Sequence, residues 1–261
     1  IIESLKSLGN IPVNKKFVVD EDKFHFGPLL SGKNHEQKEL RYPENQAILY
    51  LENPTPLKAD ITFCFRKDQR AGQSDTFLLE TTQMSLAPHE KKSLNVWAYP
   101  KEVSDDLEDT LICCIKDNPE PICINLKCQG VKPQIEVSPK FITFEKVLLH
   151  RKSVEAIKLR NPTALPISWK ISGIDAMGDE FSVTRDRDIL QPFAEYTVYV
   201  TFKALKAGSF GKKNLRIEVS DVDRVIGLVG YEHIVLSGEA YDIMLDMSFP
   251  RGNDGGLDFG T

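Results

Sequence analysis

The side chains able to do chemistry are few and widely separated in this 261-residue chain. No phosphate-binding glycine loop, no G-x-S-x-G nucleophile turn and no H-E-x-x-H zinc motif occurs. The five histidines lie far apart along the chain, at His25, His35, His89, His150 and His233. This spacing does not suggest a shared site, and we expect His25 and His233 to be packed or half-exposed strand residues. The sequence predicts no catalytic, cofactor-binding or metal-binding residues, and a protein that is not an enzyme.

The five cysteines favour a reduced protein without a metal site. They are Cys64, Cys113, Cys114, Cys123 and Cys128. Their number is odd, and no C-x-x-C pair suggests zinc or redox chemistry. The adjacent Cys113 and Cys114 should point to opposite faces of a strand. Cys114 and Cys128 fall in apolar strands and Cys64 and Cys123 on polar faces, so we expect thiols that act as small hydrophobic side chains.

Composition predicts a globular chain that binds neither nucleic acid nor a membrane. Hydrophobic residues make up 41% and charged residues 27%, which are ordinary values. A net charge of −5 does not favour attraction to nucleic acid or anionic lipid, and no run of eighteen apolar residues occurs. Both Asn-x-Thr triplets, at Asn53 and Asn161, have a central proline that blocks glycosylation. With the unpaired cysteines, these features predict a cytoplasmic location.

Three short segments remain as candidates for binding. The acidic run at residues 105–109 lacks the alternating oxygen ligands and the glycine of a calcium loop, so we expect a solvated turn. Asp221 and Asp223 predict a turn between two strands. Trp97 and Tyr99 lie opposite an apolar strand face, where they form either an exposed docking surface or a surface covered by a neighbouring strand or loop.

The elements that position all these residues occur twice along the chain. LENPTPLKADITF at residues 51–63 shares its pattern with LRNPTALPISWKI at residues 159–171, and the two Asn-Pro-Thr triplets are 108 residues apart. SLAPHEKKSLNVWA likewise matches ILQPFAEYTVYVTF, and KFHFGPLL matches FITFEKVLL. A period above 100 residues indicates repeated domains rather than the turns of a solenoid.

Within each repeat, apolar residues recur at every second position. This alternation predicts strands with one buried face and one face in water. The residues expected to face the cores in this way include Ile61, Phe63, Phe65, Ile122, Ile124, Leu126, Ile167, Trp169, Ile171, Tyr196, Val198, Val200, Phe202, Leu215, Ile217 and Val219. DTLICCIK at residues 109–116 is apolar on both faces, which is typical of a central strand. No amphipathic helix of three turns is evident.

These patterns predict an all-β chain of tandem, seven-stranded, immunoglobulin-like β-sandwiches of about 110 residues each. We place the first sandwich at residues 17–132 and the second at residues 133–240. Residues 1–16 are then the tail of a preceding segment, and residues 241–261 begin a third repeat. The joint CQGVKPQIEVSPKFITF contains no flexible Gly/Ser linker, which favours a semi-rigid connection.

A domain with FHFGPLL near its start, LENPTPLKADITF in its first third, SLAPHEKKSLNVWA in its middle and LKCQGV at its end resembles the ASH domain. ASH domains belong to the major sperm protein (MSP) and PapD-like branch of immunoglobulin-like folds. The second repeat departs from the pattern, because it has Phe144-Glu145 where the first has Phe26-Gly27.

The resemblance implies a structural scaffold in the axoneme of motile cilia, a cytoskeletal array of such domains at the central-pair apparatus. It implies tubulin or microtubules, other axonemal central-apparatus proteins and neighbouring repeats of the same chain as partners. The alternative is an MSP-type peptide-recognition module, in which a basic groove binds acidic, phenylalanine-containing motifs.

Overall fold

The computed structural model describes residues 17–20, 23–32, 42–68 and 71–248. These residues form eighteen β-strands and two single-turn 3₁₀ helices, Pro43–Asn45 and Asp175–Met177. The first unit contains β1 Phe17–Asp20, β2 Lys23–Leu30, β3 Gln46–Glu52, β4 Ala59–Phe65, β5 Phe77–Leu79, β6 Gln83–Leu86, β7 Lys91–Ala98, β8 Ser104–Ile115 and β9 Ile122–Val131. The second contains β10 Glu136–Ser138, β11 Phe141–Leu148, β12 Lys152–Arg160, β13 Ile167–Ser172, β14 Phe181–Val183, β15 Arg187–Leu190, β16 Glu195–Lys203, β17 Gly208–Asp221 and β18 Leu228–Tyr241. The predicted all-β fold is confirmed.

Each unit is a sandwich of two sheets around its own core. In the first unit the sheet order is β1-β2-β9-β8-β4-β6 facing β3-β7-β5, and in the second it is β11-β18-β17-β13-β15 facing β10-β12-β16-β14. One cluster of buried side chains lies wholly within the first unit and includes Phe63 and Phe77. The other lies wholly within the second and includes Trp169 and Phe202. The alternation of apolar residues therefore identified core residues in both units.

The structure subdivides three of the expected strands, two in the second unit and one in the first, because the chain changes sheets there. In the second unit β10 pairs with β12, whereas β11, two residues later, pairs in parallel with β18. Similarly β14 pairs with β16 in one sheet and β15 with β13 in the other. In the first unit β5 and β6 divide in the same way, between β7 and β4.

The parallel pairs β2–β9 and β11–β18 show that the two units correspond residue by residue. Phe24 in β2 lies opposite Leu126 in β9, and Ile142 in β11 lies opposite Leu236 in β18. Both ladders are then interrupted by a bulge. The left-handed residue there is Gly27 (φ 80°) in the first unit, but Lys146 (φ 53°) in the second. The second unit keeps the bulge without the Phe-Gly pair because a different residue adopts the positive φ.

The Asn-Pro-Thr triplets hold the sandwiches together through a buried side chain. Asn53 Nδ2 donates to the carbonyl oxygens of Leu57 at 2.7 Å, Leu86 at 3.4 Å and Ala87 at 3.0 Å. Its Oδ1 accepts hydrogen bonds from the backbone N–H of Thr55 at 3.1 Å and from its hydroxyl at 2.7 Å. The amide thus closes its own turn and joins it to the segment after β6.

Asn161 makes the same five bonds in the second unit. Its Nδ2 donates to the carbonyl oxygens of Leu165, Leu190 and Gln191 at 2.8, 3.2 and 3.0 Å. Its Oδ1 accepts from the N–H and hydroxyl of Thr163 at 2.9 and 2.7 Å. The recurrence explains the shared triplet, because the asparagine amide can both donate and accept, as this pattern requires.

The acidic run at residues 105–109 is not the expected turn, because it forms the first half of β8. Lys127 of β9 pairs with Asp106 at 3.2 Å and with Glu108 at 2.8 Å. Gln129 Nε2 donates to Asp105 Oδ1 at 2.9 Å. These contacts from the neighbouring strand compensate the negative charges, so the run is compatible with a strand. The turn prediction holds at Asp221, whose carboxylate accepts backbone N–H groups of residues 225–227.

The other half of β8 also differs from expectation. The strand is central, between β9 and β4, but only one of its faces is in the core. Leu111 and Cys113 are buried, whereas Cys114 is exposed. The other face of β8 lies on the outer side of the sheet, away from the core. Apolar residues on both faces of this strand therefore did not mean that both faces are buried. The predicted tail at residues 1–16 and the LDFG motif of the predicted third repeat lie outside the described residues, and residues 242–248 form no strand.

Candidate interaction surfaces

The cysteines divide into buried and outward-facing groups. Burial raises the pKa of both Cys113 and Cys128 to about 12, so these thiols stay protonated near neutral pH and pack as small hydrophobes. Cys64 is half-buried, and burial raises the pKa of its thiol. Cys114 and Cys123 are exposed. The prediction of opposite faces for Cys113 and Cys114 is correct, but the expected burial of Cys114 is wrong.

The histidines show no catalytic arrangement in the described ranges. His25 Nδ1 accepts a hydrogen bond from the backbone N–H of Gly27 at 2.8 Å, which links it to the bulge in β2. His233 is exposed, with its ring 5.2 Å from that of Tyr231. Among the residues that the structure describes, no group of three His, Cys, Asp or Glu side chains could hold a metal ion. No helix in the same ranges is long and apolar enough to cross a membrane.

Trp97 and Tyr99 are not an exposed docking surface. Trp97 is 2% exposed and Tyr99 is 5% exposed. Trp97 lies on the middle strand of its sheet, opposite Gln46 of β3 and Leu78 of β5. At the end of β7 the chain is also held on both sides, because Asn45 Nδ2 donates to the carbonyl oxygen of Ala98 and Tyr99 N–H donates to that of Thr76. Neighbouring strands and segments therefore cover Trp97 and Tyr99, which is the second of the two alternatives that the sequence left open.

An exposed aromatic surface lies instead on the second unit. Tyr199 of β16 is 47% exposed and Val154 of β12 is 53% exposed, both on the outer side of the sheet. Lys152 and Lys203 lie opposite each other at one end of this surface, and Lys158 lies on the same side. We call these five residues the Tyr199 face. β12 and β16 are adjacent antiparallel strands, so their alternate residues form one continuous surface.

The charge on the Tyr199 face is uncompensated within the described part of the chain. Lys152, Lys158 and Lys203 make no ion pair there, whereas the neighbouring Arg160 pairs with Glu136 at 3.2 Å and with Glu195 at 3.8 Å. Three free ammonium groups around a half-exposed tyrosine favour a partner surface that is acidic and has an apolar or aromatic contact.

The outer side of the opposite sheet carries a cation whose charge is already compensated. Arg216 pairs with Glu218, and its Nε donates to the hydroxyl of Ser172 at 3.2 Å. Its guanidinium lies 5.6 Å from the centre of the Tyr231 ring. These contacts occupy the guanidinium, so this surface has less charge to offer a partner than the Tyr199 face.

The corresponding strands of the first unit form a different surface. Ile48 and Tyr50 of β3 are exposed, but Gln46 Nε2 donates to Asn95 Oδ1 at 2.8 Å and Lys91 pairs with Glu52 at 2.9 Å. The Tyr199 face is therefore not repeated in the first unit. The sequence did not predict this face, because the apolar period of β16 marks its inward residues, although the same alternation places Tyr199 outward.

A family model also recognises the second unit. Residues 133–224 match the ASH model, described as "Abnormal spindle-like microcephaly-assoc'd, ASPM-SPD-2-Hydin". The second unit is similar to the ASH family over these residues. The resemblance inferred from the sequence motifs is thus confirmed.

The chain is 44% identical over 250 residues to hydrocephalus-inducing protein of Mus musculus, a match that covers 95% of the chain. It is 40% identical over 252 residues to the Homo sapiens homolog, covering 96% of the chain. In both cases the chain spans only 5% of the relative's length.

The similarity to solved structures is weaker. The ASH/PapD-like domain 7 of human CEP192 is 19% identical, with a TM-score of 0.37, covering 42% of this chain and 87% of that domain. SSP-19 of Caenorhabditis elegans, an MSP-domain protein, is 18% identical, with a TM-score of 0.32, covering 40% of this chain and 98% of SSP-19. Because these TM-scores are low, the fold assignment rests on the strand pairing described above.

Proposed function

We propose that this chain is a segment of a structural scaffold in the axoneme of motile cilia, an elongated array of immunoglobulin-like domains at the central-pair apparatus. The observation that carries the proposal is the similarity to hydrocephalus-inducing protein over 95% of the chain, together with two successive sandwiches that each have their own core. The role is structural rather than catalytic, and the location is the ciliary cytoskeleton. Neighbouring repeats of the same chain are the first partners of such an array.

The Tyr199 face supports a second set of partners. Its lysines attract an acidic protein surface, and its tyrosine provides an anchor of the kind that is enriched at interfaces. We assign this face to tubulin or to another protein of the central apparatus. The charge of the whole chain, −5, does not oppose this, because a local basic surface determines the contact at short range.

Localisation tests the scaffold role most directly. A tagged full-length protein should be found along the central pair of motile axonemes, and its removal should disturb ciliary beating. Absence of the tagged protein from motile axonemes would contradict the proposal. In a purified system, the 261-residue chain should co-sediment with microtubules.

Charge reversal then tests the face itself. Lys152→Glu with Lys203→Glu should lower co-sedimentation severalfold, because two attractive contacts become repulsive. Lys170→Glu with Lys212→Glu is the matched control, since both are exposed lysines on the opposite sheet of the same unit and the double change alters the net charge equally. Equal losses for the two variants would mean that total charge, and not this face, determines binding.

The MSP-type peptide module is the second candidate, and the same free lysines beside Tyr199 favour it. An acidic peptide containing phenylalanine should then bind with an affinity that falls steeply with salt. A peptide of the same charge with phenylalanine replaced by serine distinguishes the candidates. Loss of binding with that peptide favours the module, whereas equal binding of both peptides favours a general acidic surface.

A further inference from the structure

The first unit has an unpaired strand edge that its counterpart in the second unit fills. β3 pairs with β7 along one edge, and no strand pairs with its other edge among the residues that the structure describes. In the second unit the corresponding strand, β12, has β10 on that edge. There Val137 lies opposite Leu159, and Glu136 lies opposite Arg160.

The missing strand leaves the core of the first unit incompletely covered. Leu159 in β12 is 0% exposed, whereas Leu51, at the corresponding position of β3, is only partly buried. Tyr50, next to it, is exposed. An open edge with apolar side chains is a site at which another extended strand can add. The second unit shows what such a strand looks like: a short segment with an apolar residue opposite the leucine.

The sequence contains such a segment at the corresponding place. The parallel ladders align Phe24 with Ile142, and counting back from them places Phe17–Asp20 on residues 135–138. By sequence Phe17 then corresponds to Ile135 and Val19 to Val137. Two residues connect β10 to β11, and two residues connect β1 to β2. A connection of that length spans the change of sheet in the second unit, so it is long enough in the first.

In the structure β1 has a different partner, because it pairs with β2 in an antiparallel hairpin, with Phe17 opposite His25. We infer that the outer edge of β3 is a second docking site for Phe17–Asp20, in which Val19 lies opposite Leu51 and Val18 lies opposite Glu52. Docking there completes the core above Leu51 and closes the edge. The first unit then offers an edge to a partner strand only while β1 is paired with β2.

Disulfide trapping distinguishes the two positions of β1. The host is the 261-residue chain with Cys64→Ser, Cys114→Ser and Cys123→Ser, which removes the accessible thiols. Val18→Cys with Glu52→Cys reports docking on β3. Phe17→Cys with His25→Cys is the matched reporter of the hairpin. Opposed residues of antiparallel strands have Cα atoms about 4.5–5.5 Å apart, within the range that a disulfide bridges.

With oxidised glutathione as the oxidant, we expect the pair at positions 18 and 52 to form a disulfide within a monomer, at a rate within about tenfold of the hairpin pair, because the exchange rate depends on the access of one thiol to the other. A rate below that limit overturns the inference. Disulfides found only in covalent dimers also overturn it, and they identify β1 of a second copy as the strand that docks on β3. Tryptophan fluorescence melts of the reduced variants confirm that both units are folded before oxidation.

Discussion

Replacing Asn161 by alanine is the sharpest test of how the sandwich is held together. The side chain is 0% exposed, and its amide nitrogen donates to three backbone carbonyl oxygens. Alanine leaves the carbonyls of Leu165, Leu190 and Gln191 without this donor. It also leaves the N–H of Thr163 without its acceptor, whereas the Thr163 hydroxyl keeps the carbonyl oxygen of Leu165, at 3.2 Å, as an acceptor. No described side chain replaces Asn161 at Leu190 or Gln191, so the second unit should be destabilised.

The magnitude follows from the number of bonds and their burial. A typical hydrogen bond contributes about 1 kcal/mol net, and a buried group left unsatisfied costs about 1–3 kcal/mol. Gln191 and Thr163 are partly accessible to water, so their bonds count for less. We expect Asn161→Ala to lower the free energy of unfolding by about 3–5 kcal/mol, a large part of the total stability of one domain.

Urea unfolding followed by tryptophan fluorescence can measure this loss unit by unit. The chain has two tryptophans, with Trp97 in the first unit and Trp169 in the second. Thr163→Val is the control, because it removes only the hydroxyl and should cost about 1 kcal/mol. If Asn161→Ala cost no more than the control, or lowered the midpoint of the first unit equally, the proposed role of the amide would be refuted.

Three further outcomes are expected. Trp169→Ala should destabilise the second unit by about 3–5 kcal/mol, the usual loss for a large buried aromatic, and one joint melt of both units would contradict the separate cores. Gly130→Ala should destabilise the first unit, because a Cβ there would lie 2.1 Å from a backbone carbonyl oxygen, whereas Gly211→Ala, with nothing within 4 Å, should not. A thiol reagent at pH 8 should label Cys114 but not Cys113, whose pKa burial raises to about 12; early labelling of Cys113 would show that β8 is not packed as described.

The sequence predicted the cores well, because alternation follows directly from the geometry of a strand. Phe63 and Trp169 were assigned to the core from their positions alone, and both are 1% exposed. The Asn-Pro-Thr triplets located equivalent turns. Their buried amides could not be foreseen, because the carbonyls that they bind are about thirty residues away in sequence.

The errors share one physical cause, since periodicity describes a strand without its neighbours. It cannot tell whether a second element covers Trp97, or whether the far side of Cys114 meets water. It also cannot place Lys127 beside Asp106 and Glu108, and that pairing is what makes an acidic run compatible with a strand. The Tyr199 face belongs to the same class, because its three lysines come from two strands that only the fold brings together.

The parallel pairing of the first long strand of each unit with the last has a mechanical consequence. β2 and β9 run side by side in the same direction, as do β11 and β18. Tension applied along the chain therefore pulls the two strands of a pair in opposite directions along their length. All the hydrogen bonds of the ladder resist together, instead of opening one after another. Such a connection makes each unit resistant to being stretched along the chain.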